Sequence, residues 1–196
     1  MGINVGNVGN GVLNLEKNQV LNLTKKNPGL KEVDLGAGWD MTRSGADADL
    51  DIVGIMLDAN GRCTNVSKFI YFNNKVASGI RLHEDNRTGA GDGDDEIISL
   101  DLSKISPDVH KIVFAVVIYQ ARERRQTFGM IDNSYVRLMN KANGGKELCR
   151  FNLKTDGSTG TAVIFSELYR DGVEWDYKAI GESKVTDING LLAMYS

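Results

Sequence analysis

Carboxylates are the residues whose type and spacing promise chemistry. Asp47, Asp49 and Asp51 recur at every second position in "ADADLDIVGIMLDANGR", and a second acidic group fills "EDNRTGAGDGDDE", residues 84–96. Carboxylates spaced by two project from one face of an extended strand. Like charges stacked in this way repel unless a cation or a set of donors neutralises them. In the second group glycines alternate with acids, which lets the backbone turn sharply and bring carbonyls beside the carboxylates. Asp85, Asn86, Asp92, Asp94, Asp95 and Glu96 offer oxygen alone, the donor that calcium takes in sets of about six to eight. The centre of the group holds neither Cys nor His, which argues against zinc or copper; His83 lies just outside. An EF-hand is excluded, because Ile52 stands where that loop needs glycine and Asp58 where it needs glutamate. A solvated acidic surface is the plain alternative for either group alone. Two groups, one of them on a strand that is otherwise apolar, favour a divalent-cation site.

The elements that position these acids read as strands. Val53, Ile55 and Leu57 continue the face of Asp49 and Asp51, while Leu50, Ile52 and Met56 take the other, so both faces of this strand are predicted to be covered. "FIYFNN", "EIISLDLSKI", "HKIVFAVVIYQ", "SYVRLMNK", "ELCRFNL", "TAVIFSELYRDG" and "EWDYKAIG" are further β-branched and aromatic runs parted by Gly, Asn, Asp or Pro. Many short strands at regular spacing predict an all-β sandwich with a few short helices. The echo Val12-Leu13-Asn14-Leu15 and Val20-Leu21-Asn22-Leu23 predicts a β-hairpin around "EKNQ". "YQARERRQTFGMI" predicts a short helix or an ordered loop, and "TDINGLLAMYS" a closing helix that starts near Thr186 or Asp187.

Composition narrows the function classes. The chain has 196 residues, 41% of them hydrophobic, with a formal net charge of −3 and two cysteines. That length suits one domain across residues 1–196, with residues 1–11 as an N-terminal extension. The charge balance gives no reason to expect nucleic acid as a partner. Two cysteines make no disulfide framework, and no run reaches the roughly 20 apolar residues of a membrane span. "MGINVG" lacks the Ser or Thr of a myristoylation signal at its sixth position. A cytoplasmic location is expected.

Taken together, "LGAGWD", "ADLDIVGIMLDANGR", "FIYFNN", "GDGDDEIISLDLSKI", "RRQTFGMIDNSYVRL" and "AVIFSELYRDGVEWDYKAIG" resemble the TerD family of tellurium-resistance and stress proteins. The likeness runs from about Val12 to the C-terminus. It implies a β-sandwich with calcium sites in loops at one end, a stress-response role, other tellurium-resistance proteins as partners, and no agreed enzymatic activity. Position by position, it implies one calcium site from Asp40, Asp49, Asp51, Asn73, Asp85 and Asn86. An adjacent site would draw on the carbonyls of Gly89 and Gly91 with Asp92, Asp94, Asp95 and Glu96. Two alternatives stand beside this reading: a calcium-dependent membrane-binding module with peripheral membrane association, and a cyclic-nucleotide-binding protein.

Other chemistry-bearing residues read more plainly. Trp39 is expected to pack beneath the acidic end as a core tryptophan. Arg122, Arg124 and Arg125 form the dense basic patch, suited to phosphate, a protein partner or solvent. His83 and His110 show no catalytic partners in the sequence. Cys149 alternates with Phe151 and Leu153 as a buried thiol would, whereas Cys63 follows the "DANG" turn and is expected to be exposed. Nucleophile-elbow, P-loop and dinucleotide-binding motifs are absent.

Overall fold

A computed structural model describes residues 8–9, 12–40, 48–83, 93–152 and 159–196. Chain order begins with β1 (Val8–Gly9), β2 (Val12–Asn14), β3 (Val20–Leu21), α1 (Leu23–Lys26), β4 (Glu32–Asp40) and β5 (Leu50–Leu57). It continues with β6 (Phe69–Ile70), β7 (Val76–Ala77), β8 (Ile80–Leu82), β9 (Glu96–Asp101), β10 (Lys111–Ile118) and α2 (Ala121–Arg124). It ends with β11 (Asp132–Asn140), β12 (Lys146–Asn152), β13 (Ala162–Asp171), β14 (Glu174–Lys184) and α3 (Ile188–Met194).

Two sheets face each other. One has the order β1-β2-β12-β11-β4-β9-β8-β7, the other β3-β14-β13-β10-β5-β6. The pleat decides what lies between them. Val33, Leu35 and Ala37 of β4 and Ile98 and Leu100 of β9 meet Ile52 and Met56 of β5, Ile112, Phe114 and Val116 of β10, and Phe165 of β13. Phe114 and Phe165 stack with ring centroids 6.2 Å apart at the middle of this core. All-β architecture with short helices is therefore what the chain adopts. No helix among the described residues is long and apolar enough to cross a membrane.

Strand β5 carries both faces as its sequence requires. Leu50, Ile52 and Met56 face the opposite sheet, while Val53, Ile55 and Leu57 join Val113, Ala115 and Ile164 on the outer face. That outer face is covered by α3 through Leu191, with Ile188, Leu192 and Tyr195 packed around it. Asp187 caps α3, its Oδ1 accepting the Gly190 N–H at 2.8 Å, which satisfies one of the donors a helix start leaves open.

One expected element is corrected. The two copies of the N-terminal echo do not form a hairpin: β2 pairs parallel with β12 in one sheet, β3 pairs antiparallel with β14 in the other, and Leu23 opens α1. Asn18, at φ 66°, turns the chain between them. Each copy buries its leucines in the shared core from a different side, Leu13 and Leu15 from one and Leu21 and Leu23 from the other, which a hairpin within one sheet would not achieve.

Candidate functional site

The acidic end is assembled by backbone register. Strands β4 and β9 are antiparallel, with Ala37 opposite Glu96 as the last pair, and Asp95 N–H donates to the Ala37 carbonyl at 2.8 Å. The Asp95 side chain then extends the ladder. Its Oδ2 accepts the Trp39 N–H at 2.9 Å, where no further β9 backbone is available. Asp40 follows directly on β4 and is exposed, its Oδ2 accepting the Asn133 amide at 2.5 Å. Trp39 is buried and its indole N–H donates to the Ala48 carbonyl at 3.2 Å, tying β4 to the residues that lead into β5.

Glu96 makes the crossing to the other sheet. It shares the inward face of β9 with Ile98 and Leu100 and is 1% exposed. Edge strand β6 pairs only with Gly54 and Ile55 of β5, so the Ile52 N–H lies beyond its reach. The Glu96 Oε2 accepts that N–H. Because the Ile52 nitrogen belongs to the peptide bond formed by Asp51, the Glu96 carboxylate is tied to the β5 backbone next to Asp51, a residue that is itself 4% exposed. Asp49, half-buried, is held by its carbonyl, which accepts the Tyr119 N–H at 2.7 Å. Asp40, Asp49, Asp51, Asp95 and Glu96 thus lie at one end of the sandwich, and Asp51, Asp95 and Glu96 are buried, but among the described residues no three acids stand close enough together to hold a metal ion. Burying carboxylates is costly unless each charge is matched by donors or a cation.

Asp94 is placed differently. Gly36 and Gly38 leave a trough on the outer face of β4, and a methyl group at Gly36 would stand 2.0 Å from the Asp94 carboxylate. There Asp94 Oδ1 accepts Arg137 Nε at 2.8 Å and the Tyr135 hydroxyl at 3.1 Å. Arg137 continues to Glu147 at 3.2 Å, Glu147 accepts Arg150 Nε at 2.8 Å, and Arg150 lies over the Tyr135 ring at 4.1 Å. The Asp94 side chain is 3% exposed. Its neighbour two residues on points between the sheets, so Asp94 anchors the end of the acidic segment to the back of the sheet.

Asn73 is exposed in the turn after β6, where Asn74 supplies the fixing bonds through its amide to Phe69 O at 2.8 Å. Phe72 of the same turn meets Tyr119 edge-on at 6.0 Å, which places the turn beside Asp49. Asp47, Asp85, Asn86, Gly89, Gly91 and Asp92 lie outside the described residues.

Two residues stand differently from what the sequence suggests. His83 does have a partner: its Nε2 is 2.7 Å from Ser99 Oγ, and Ser99 donates to Asp34. The serine proton therefore points to the carboxylate and not to the imidazole, the reverse of an arrangement that activates a nucleophile. Only the three-dimensional neighbourhood of β4, β9 and the end of β8 could reveal it. Cys63, expected at the surface, is buried: its N–H donates to the Tyr195 carbonyl at 2.6 Å because the C-terminal helix closes over it. Burial pushes its thiol up, and the fully enclosed Cys149 thiol is raised further by the same cause. Arg122, Arg124 and Arg125 are exposed around α2, with Arg124 5.6 Å above the Tyr119 ring.

The acids described at this end form no complete ligand set by themselves. Their carboxylates supply oxygen alone, and a carboxylate that accepts one N–H retains further lone pairs. Comparison with known proteins agrees with the architecture. The TerD domain family model matches residues 12–195. The tellurium resistance protein TerD of Serratia marcescens is 40% identical over 186 residues, covering 93% of this chain and 96% of that one. General stress protein 16U of Bacillus subtilis is 42% identical over 173 residues, covering 86% and 89%. In fold, the chain matches the crystal structure of a homologue of telluride resistance protein (TerD) from Streptomyces coelicolor at a TM-score of 0.71 and 23% identity, covering 86% of this chain and 99% of that one.

Proposed function

Since the chain belongs to the TerD family of tellurium-resistance and stress-response proteins, we propose that it is a calcium-binding member that acts through protein interactions and not through catalysis. The observation that carries this reading is the burial of carboxylates at one end of the sandwich, one of which, Glu96, links the two sheets. Asp95 accepts the Trp39 N–H, one residue before Asp40, and Glu96 accepts the Ile52 N–H, one residue after Asp51. Those two bonds hold the Asp95 and Glu96 side chains and the backbone near Asp40 and Asp51 in place before any ion arrives, which lowers the ordering cost of binding. Asp40, Asp49, Asp51, Asp95 and Glu96 would hold the ion from the described part of the chain. Asp94 would position its neighbours from the outer face through Arg137. A bound calcium ion would supply positive charge that relieves repulsion within this cluster.

Other tellurium-resistance proteins are the partners this reading names.

Calcium should raise the melting temperature, and a chelator should reverse the rise. At a hundredfold excess over Kd the added stability is about 2.7 kcal/mol. Asp51→Asn should weaken calcium binding about tenfold or more, a loss of roughly 1.4 kcal/mol, while Asp187→Asn, at the start of α3, should leave it unchanged. A melting curve that stays fixed from micromolar to millimolar calcium would sink the reading.

A further inference from the structure

The opposite end of the sandwich carries a cleft of about 800 Å³, within the size range of small-molecule sites. Its place follows from the strands. Lys31 precedes β4 where Asp40 closes it, and Leu102 follows β9 where Asp95 precedes it. The cleft therefore lies a full strand length from the acidic cluster. Trp175, Leu102 and Ile105, all at least nine-tenths buried, give it an apolar floor. Lys25, Lys31 and Arg170 line it as cations, against Glu174 as the carboxylate.

Those charges are not spent on each other. Glu174 takes the Thr24 hydroxyl, and the same hydroxyl accepts the Trp175 N–H at 2.8 Å, which fastens α1 to β14 and builds one wall. Arg170 is fixed flat over the Trp175 ring at 4.3 Å, with Nε donating to Val109 O at 2.9 Å and Nη2 to Ile105 O at 3.3 Å. Among the described residues Nη1 of this guanidinium makes no hydrogen bond. Lys25 and Lys31 are exposed and make no ion pair among the described residues. An immobilised arginine on an aromatic face, flanked by two lysines above apolar side chains, is suited to an anionic head on an apolar body.

We propose that this cleft binds a small amphipathic anion, an organic carboxylate or phosphate ester, with its head among Lys25, Lys31 and Arg170 and its body on Trp175, Leu102 and Ile105. The site is independent of the acidic end and of calcium.

The chain has two tryptophans, one at each end, so fluorescence can separate them. A Trp39→Phe variant leaves Trp175 as the reporter, and it is titrated in chelator with octanoate, octyl phosphate and neutral octanamide. Calorimetry on the unaltered protein repeats the titrations without depending on that variant. A saturable response to octanoate or octyl phosphate with Kd of about 0.1–1 mM is expected for a ligand of this size in an open cleft. Octanamide should bind about tenfold more weakly or worse, since it lacks the charge that strengthens these hydrogen bonds. The double variant Lys25→Glu, Lys31→Glu should abolish the response, and whichever anion binds more tightly identifies the head group. Equal binding of octanamide, or no saturation by either anion up to about 10 mM in both measurements, would overturn the proposal whatever calcium does.

Discussion

The two outer faces of the sandwich solve one problem in opposite ways. Behind the six-stranded sheet, Val53, Ile55, Val113, Ala115 and Ile164 form an apolar surface that α3 covers with Leu191. Behind the eight-stranded sheet, Gly36 and Gly38 open a trough that holds Asp94, Arg137, Tyr135, Glu147 and Arg150 in a chain of ion pairs and ring contacts. The first face is closed by a non-directional force that requires only area removed from water. The second depends on geometry, because a buried charge that loses its partner is penalised. The difference teaches where sensitivity should lie. The helical side tolerates changes of salt and pH, and the polar side couples the acidic end to both.

The largest effect is expected from Leu191→Ala, which opens the cover of the apolar face. Deleting a fully buried leucine costs about 3 kcal/mol, measured as a loss in urea unfolding that is the same in low and high salt. Arg137→Met should cost about 2 kcal/mol, because Asp94 keeps only the Tyr135 hydroxyl while its carboxylate stays buried. That deficit should shrink modestly in about 1 M salt, where the partly exposed Arg137–Glu147 pair of the wild type is screened. Equal salt responses of the two variants would break the comparison. Asp187→Ala removes the cap of α3 and should cost about 1 kcal/mol, again without salt dependence.

A smaller, pH-dependent effect belongs to the polar side. Desolvation pushes the Glu147 carboxyl up, but the bonds from Arg150 and Arg137 outweigh it and hold the group below its ordinary value. A depressed folded-state pKa gives stability that is present above the unfolded pKa and lost as pH falls through the folded one. The melting-temperature gap between wild type and Glu147→Gln should therefore narrow on acidification below the ordinary carboxylate range. The gap for Leu191→Ala should persist. A Glu147→Gln gap that widens in acid would contradict the assignment of this face.

How much of this was legible depends on the range of each interaction. The two-faced pattern of β5 was readable because a period of two assigns Ile52 and Val53 to opposite sides without any partner in view. The closing helix was readable from Asp187 and the apolar residues after it. The N-terminal echo misled, since identical strings carry no information on which sheet each joins. Oxygen chemistry at the acidic end was evident from composition. The outward placement of Asp94 was not, because Gly36 and Arg137, which make room and a partner for it, are distant in the chain. For the same reason the bond from Glu96 to Ile52 and the placement of His83 against Ser99 required the register of three strands. The burial of Cys63 required the C-terminus to return over it.

Strand length at the borders of the sheets has a consequence for partners. The terminal strands are β1 and β7 in one sheet and β3 and β6 in the other, and each is two residues long. A border this short offers an incoming chain almost no row of open N–H and C=O groups to copy. Strand addition onto these four short strands is therefore disfavoured, and an open row remains on the longer strands they cover only in part, β5 at Gly54 and Ile55 and β14 at Tyr177 and Lys178. A protein that pairs with this molecule by strand addition would thus have to reach past a two-residue border to β5 or β14.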